Sequence, residues 1–235
     1  MRSDEFLKWY KVLEGELERK YAGRKRTVNS VVMQYLADRE STPVKEKLDL
    51  CREVRNILSH NADEGGDAVV EPSQSLLDDL QEIITYVKRP PLAIHFMTPR
   101  DQMLTADLGQ RVYEVMRAME RRGFSHIPVI GKSGLTGVFS VGTVFSYCMH
   151  DMGEVGIGHN ARIRDFLRWL PLDSHEMECY GYVDEGATYA DVKWEFERIK
   201  RNEKRLAVLF MTKTGKVDEP LMGMITPWDV LGERG

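Results

Sequence analysis

Two stretches of this chain repeat each other. SHIPVI at 125–130 and GVFSVGT at 137–143 return as KRLAVLF at 204–210 and GMITPWD at 223–229. Each pair of apolar runs is preceded by a helical pattern, marked by Val112, Val115, Met116 and Met119 in the first copy and by Val192, Phe196 and Ile199 in the second. Each is followed by another helix, the second of them opened by Thr226-Pro227. A unit of roughly 60 to 70 residues that occurs twice is too short for a solenoid and describes a paired α/β module.

The first 90 residues have a different texture, with apolar residues recurring at the helical period. Phe6, Trp9, Tyr10, Leu13, Leu17 and Tyr21 make one stripe, and Val28, Val31, Val32, Tyr35 and Leu36 a second. A third helix is expected from Ser41-Thr42-Pro43, a hydroxyl cap followed by a first-turn proline. It carries Val44, Leu48, Cys51, Val54 and Leu58 and ends near His60-Asn61. The fourth starts at Ser73, with Leu76, Leu80, Ile83, Ile84 and Val87 inward. Lys88-Arg89-Pro90-Pro91 stops the pattern, because consecutive prolines cannot continue a helix. The expected class is α+β multidomain: an all-α bundle over 1–90, then α/β domains over 91–153 and 154–235.

With 42% hydrophobic and 30% charged residues the composition is that of a soluble protein, and no apolar run is long enough for a bilayer. The N-terminus reads as an amphipathic helix rather than a secretory signal, which points to the cytoplasm. Cys51, Cys148 and Cys179 are widely spaced and read as reduced core thiols. A net charge of -4 gives no broad attraction to nucleic acid or membrane. One local basic group, Arg19, Lys20, Arg24, Lys25 and Arg26, is flanked by glutamates at 14, 16 and 18 and fits a solvated helix end.

MTPRDQMLTA, a helix, FSHIPVI and GVFSVGT, then a second round ending in GMITPWD, resemble a pair of CBS domains, a Bateman module. The resemblance implies clefts for an adenine nucleotide (AMP, ADP, ATP or S-adenosylmethionine) held as a regulatory ligand, with no metal and with a homodimer as the expected assembly. The residues make chemical sense of it. Thr226 at a helix N-cap presents a hydroxyl and free first-turn N–H groups to a phosphate, and Asp229 suits the two hydroxyls of a ribose. The same two residues also fit a plain capped helix. By family analogy Thr98, Asp101, Gln102 and Met103, with Ser125, His126, Ile127 and Pro128, complete this cleft around the base. In the first copy Ser140 is retained but Thr143 stands at the acidic position, so the twin cleft is degenerate; Lys204 and Arg205 are the cations available to it.

Arg55-Asn56-Ile57-Leu58-Ser59-His60 resembles the R-N-x-x-x-H signature of HEPN domains, helical bundles that include metal-independent endoribonucleases. The resemblance implies Arg55 and His60 as catalytic residues acting on RNA, histidine as acid or base and arginine on phosphate charge. On one ideal helix the two lie about 140° apart. Convergence needs the helix to end near Ser59, or two chains to meet. The noncatalytic alternative pairs Arg55 with a carboxylate such as Glu82 and uses His60 as a helix cap.

Gly156–Ala161 matches G-x-G-x-x-A without a preceding strand, and His150, His159, His175 and Cys179 lack a zinc-ligand spacing. Three functions are therefore expected: a nucleotide-responsive regulator of the helical domain, a nucleotide-gated HEPN-type endoribonuclease, and a noncatalytic dimerisation scaffold.

Overall fold

The computed structural model describes residues 2–23, 28–61, 70–132, 134–150, 157–198 and 204–231. The boundary placed at 153/154, and Arg24, Lys25, Arg26 and Gly156, lie outside them. The chain divides into two compact units, Met1–Pro91 with Thr188–Asp191, and Leu92–Ala187 with Val192–Gly235. A helical bundle followed by an α/β region is the fold class anticipated from the sequence.

The helical unit contains α1 (Arg2–Lys20), α2 (Val31–Ala37), α3 (Lys45–Asn61) and α4 (Gln74–Lys88). Phe6, Leu13 and Leu17 of α1, Tyr35 of α2, Leu48 and Cys51 of α3 and Leu77, Leu80 and Ile83 of α4 are fully buried in one core. Ser30 and Ser73 cap α2 and α4, accepting hydrogen bonds from the N–H groups of Val32 and Leu76 at 3.2 Å each. The third helix begins later than the Ser-Thr-Pro signal suggests. Arg39–Val44 is a 3-10 segment, capped by the Asp38 carboxylate on Glu40 N–H. The Ser41 and Thr42 hydroxyls turn back to donate to the carbonyls of Asp38 and Arg39, at 2.8 and 2.6 Å, rather than accepting from the turn ahead.

In the α/β unit the strands are β1 (Thr98–Pro99), β2 (His126–Gly131), β3 (Gly134–Ser140), β4 (Glu178–Val183), β5 (Arg205–Met211) and β6 (Gly223–Ile225). Helices α5 (Val112–Arg122) and α6 (Val141–His150) flank β2 and β3; α7 (Tyr189–Glu197) precedes β5 and α8 (Pro227–Leu231) follows β6. β2 and β3 form an antiparallel hairpin, and the other four make a sheet in the order β1-β6-β5-β4. β1 and β4 were not foreseen. β1 is two residues long, and every residue of β4 is half-buried, so neither shows an alternating pattern.

Glycine permits two close approaches. A Cβ at Gly223 would stand 2.5 Å from the Thr98 carbonyl oxygen across the β1/β6 pair, and one at Gly137 would collide with the Leu170 carbonyl, which accepts from Val138 N–H at 2.9 Å. One core gathers Val112, Ile127, Val129, Phe139, Ile163, Phe166 and Leu170; another gathers Met103, Val138, Val208, Phe210 and Met224 from both repeats.

The repeat is visible in hydrogen bonding as well as in order. Asp107 and Asp184 each accept from the N–H of the glycine two residues on, Gly109 and Gly186, at 2.7 and 2.8 Å.

Candidate functional site

At the end of β6 the chain turns into α8, and Asp229 folds back on Thr226. Both the N–H and the hydroxyl of Thr226 donate to Oδ2 of Asp229, at 2.8 Å each. One carboxylate oxygen is thereby fixed, and Oδ1 has no partner among the described residues. Thr226 and Asp229 are half-buried, and Trp228 between them is 84% exposed. The Thr226 hydroxyl is thus a donor to its own helix turn rather than a free group for phosphate. Thr188 and Asp191 at the start of α7 repeat the arrangement, at 3.1 Å from N–H and 2.7 Å from hydroxyl to the same carboxylate oxygen. The cap by itself therefore does not mark a ligand site.

The matching turn of the first repeat, from β3 into α6, has the same backbone logic with a hydroxyl in place of the carboxylate. Ser140 N–H donates to the Thr143 hydroxyl at 3.0 Å, and Thr143 N–H donates to the Ser140 hydroxyl at 3.1 Å. Ser140 and Thr143 are fully buried. The Ser140 hydroxyl then donates to Oε1 of Glu178, on β4, at 2.7 Å.

Glu178 is the centre of a network that the sequence reading missed. Nε2 of His126 meets its Oε2 at 2.7 Å, the Tyr180 hydroxyl donates to Oε1 at 2.7 Å, and Nδ1 of His175 lies 3.4 Å from Oε1. The Ser125 hydroxyl meets Nδ1 of His126 at 2.8 Å, and Nε2 of His175 faces the Leu170 carbonyl at 3.3 Å. A carbonyl only accepts, so Nε2 of His175 carries a hydrogen. Burial on its own pushes the Glu178 carboxyl up; the hydrogen bonds from His126 and His175, the His126 charge and the Tyr180 hydroxyl outweigh it and hold the group well below the usual carboxylate range. Burial, then the neighbouring Glu178 charge, pushes the Tyr180 hydroxyl far above the ordinary phenol value.

The anticipated single cleft is divided. Ser125, His126, Ile127 and Pro128 belong with Ser140, because His126 lies opposite Ser140 and Ile127 opposite Phe139 in the hairpin. Ile127 and Pro128 are buried in the core. Arg205 joins this group, opposite Glu178 in the β4/β5 register, while Lys204 is committed to the His175 carbonyl. Thr98 lies near Thr226, opposite Met224. Beyond Thr98, however, antiparallel pairing carries the chain the other way: Arg100 N–H donates to the Met222 carbonyl at 2.9 Å. Exposed Asp101 and Gln102 therefore sit at the end of the ladder remote from Thr226, and Met103 is core.

A cavity of about 590 Å³ adjoins the Glu178 network, lined by Thr136, Leu172, His175, Tyr180, Tyr182 and Lys204 among others. Its lining includes neither Thr226 nor Asp229. In the helical unit a second cavity, of about 560 Å³, is lined by Tyr10, Lys11, Glu14, Arg52, Arg55 and Asn56 among others. Arg55 lies over the Tyr10 ring at 5.7 Å and pairs with Glu14 at 3.6 Å; Glu82, the partner anticipated for it, pairs with Lys47 at 2.7 Å. α3 continues to Asn61, so no helix end near Ser59 brings Arg55 and His60 together; the His60 side chain lies outside the described residues.

Of the cysteines only Cys51 is fully buried; Cys148 and Cys179 are half-buried. Among the described residues no helix is long and apolar enough to cross a membrane, and no cluster of three or more histidine, cysteine, aspartate or glutamate side chains is placed to hold a metal.

Residues 93–150, the span from just before β1 to the end of α6, match the family model of the CBS domain. The match spans the first α/β repeat. Among solved structures, the chain is similar to a CBS-containing hemolysin-like protein of Oenococcus oeni PSU, with 17% identity over 63% of this chain and 93% of that one and a TM-score of 0.41. It is similar to the CBS domain of a bacterial CNNM/CorC family Mg2+ transporter in complex with ATP, with 15% identity, 65% and 91% coverage and a TM-score of 0.41. A functionally unknown conserved domain from Neisseria meningitidis MC58 is similar at 15% identity, with 79% and 98% coverage and a TM-score of 0.44. No curated protein matches the chain.

Proposed function

We propose that both repeats are CBS domains and that the pair binds an adenine nucleotide whose presence controls the helical unit. The observation that carries this reading is the equivalence of two turns: Thr226–Asp229 stands where Ser140–Thr143 stands in the repeat that matches the family model. In the second copy the turn carries a carboxylate with one oxygen anchored and the other without a partner among the described residues. That arrangement suits a ribose hydroxyl, which needs a strong, oriented acceptor. Thr226 serves by anchoring Asp229. Control requires the nucleotide to favour one of two arrangements of the chain, and the ligand's differential affinity sets the limit of the effect. Calorimetric titration with AMP, ADP, ATP and S-adenosylmethionine tests the binding, with Asp229→Ala as the comparison. Tight binding that ignores this substitution would remove Asp229 from the site.

A second reading has its own support in the helical unit, where Arg55 and Asn56 line a cavity with Lys11, Arg52 and Tyr10. Arginine in such a cleft can hold an RNA phosphate, and a HEPN-type nuclease gated by nucleotide would place His60 from a second copy of the chain opposite it. Incubation of the protein with mixed RNAs, with and without adenine nucleotide, tests this. Cleavage that disappears in both Arg55→Ala and His60→Ala supports it; equal residual cleavage in all variants identifies a contaminant.

A further inference from the structure

At the first-repeat turn the Glu178 carboxylate is held by side chains from several segments. It receives the Ser140 hydroxyl, the Tyr180 hydroxyl and Nε2 of His126, each at 2.7 Å, with Nδ1 of His175 at 3.4 Å. These groups come from β3, β4, β2 and the segment before β4, and the network is largely buried: the side chains of Glu178, His126 and His175 are 18%, 20% and 3% exposed. Such a convergence is the coordination that proteins offer a phosphate or carboxylate. In the second repeat Asp229 satisfies the turn hydroxyl from within the turn. In the first, Thr143 has no carboxylate to do so, and Glu178 supplies one from β4.

We infer that Glu178 is a resident anionic ligand that closes the first-repeat half of the module to phosphate, and that removing its carboxylate opens a phosphate site there. The ligand class is a phosphate dianion, free or carried by a nucleotide. Ser140, Tyr180 and His126 would be its donors, and the 590 Å³ cavity, which already reaches His175, Glu178 and Tyr180, provides the approach. In the unsubstituted protein a second anion cannot take these donors, because the Glu178 carboxylate already engages them and repels another negative charge. The stoichiometry for nucleotide is then one per chain, through the second repeat. This last clause rests on the function proposed above; the phosphate site does not.

The test uses the full chain at neutral pH, with inorganic phosphate, AMP and adenosine as probes. Imidazole NMR signals assigned to His126 and His175 report occupancy. Glu178→Ala is expected to bind phosphate and AMP but not adenosine through this site, with affinity for phosphate at least about tenfold above that of the unsubstituted protein. Phosphate is expected to leave both imidazoles unmoved while Glu178 is present. Two outcomes overturn the inference: a folded Glu178→Ala protein whose imidazoles ignore phosphate, or an unsubstituted protein whose imidazoles respond to it. The second can be read even where the alanine variant does not fold. If AMP binding in the second repeat is absent while phosphate still enters Glu178→Ala, the nucleotide reading fails and the internal ligand stands.

Discussion

The Ser140 hydroxyl donates to the Glu178 carboxylate at 2.7 Å, joining residues 38 positions apart in the chain. This contact makes the turn of the matched repeat depend on a strand from outside the matched segment. Its strength should be visible as pH-dependent stability. Glu178 is held well below the ordinary carboxylate range in the fold, so it takes up a proton more readily when the chain is unfolded, and acid favours unfolding. The stabilisation is complete above about pH 5 and is lost as pH falls through and below the unfolded value of about 4.3. Glu178→Gln should cost about 2 to 3 kcal/mol at pH 7, the scale of hydrogen bonds to a charged group. The gap between the two proteins should narrow steadily toward pH 3 in urea melts. A gap constant with pH would mean that the carboxylate contributes only shape.

Thiol chemistry separates the three cysteines. Burial pushes the Cys51 thiol up to about 12, with the nearby Asp79 charge adding to it, and the side chain is fully buried. Cys148 and Cys179 are half-buried, and the Cys179 thiol donates to the Lys204 carbonyl at 3.8 Å. At pH 8 a thiol reagent should modify Cys148 and Cys179 in the native protein and reach Cys51 only in denaturant. Rapid native labelling of Cys51, read by peptide mass, would show that the helical core opens readily.

Glycine-to-alanine substitutions should act with opposite signs in the two units. At Gly137 a methyl group collides with the Leu170 carbonyl, and at Gly223 it stands 2.5 Å from the Thr98 carbonyl, both backbone atoms that cannot swing aside. Each should cost about 2 kcal/mol or more. At Gly15, inside α1, a methyl group would meet nothing within 4 Å, and alanine there should add about 0.5 to 1 kcal/mol through helix propensity. Thermal melts of the three variants decide the matter, and a neutral Gly223→Ala would mean that β1 is not seated on β6.

The helices and the apolar runs of β2, β3, β5 and β6 were legible because their signals are local. Ser73 caps α4, and the stripe of Phe6, Tyr10, Leu13 and Leu17 is buried as its period required. Glu178 was not legible, since its partners Ser140, His126, His175 and Tyr180 come from separate segments and no spacing links them. β4 carries no alternation of buried and exposed residues to mark it, and the parallel partner that makes it a strand, β5, lies beyond α7. Ser125–Pro128 were joined to Thr226 by family analogy alone, which does not show which strands of this chain are neighbours.

Asp229 and Asp191 form the same cap, which provides a control for the proposed nucleotide site. In each, the threonine N–H and hydroxyl three residues earlier donate to Oδ2 of the aspartate, at 2.8 and 2.8 Å for Asp229 and at 3.1 and 2.7 Å for Asp191. Loss of a helix cap costs about 1 kcal/mol, so Asp229→Ala and Asp191→Ala should lower stability by similar amounts. Only Asp229 occupies the turn that answers to Ser140–Thr143, and only its loss should weaken adenine-nucleotide binding, by about tenfold or more if an oriented ribose contact is removed. Asp229→Asn keeps an acceptor and the side-chain volume but not the charge, and should fall between the alanine variant and the unsubstituted protein. Calorimetry on all three, paired with thermal melts, separates the two roles. Equal loss of affinity in Asp191→Ala and Asp229→Ala would assign the effect to helix capping and take the ribose contact away from Asp229.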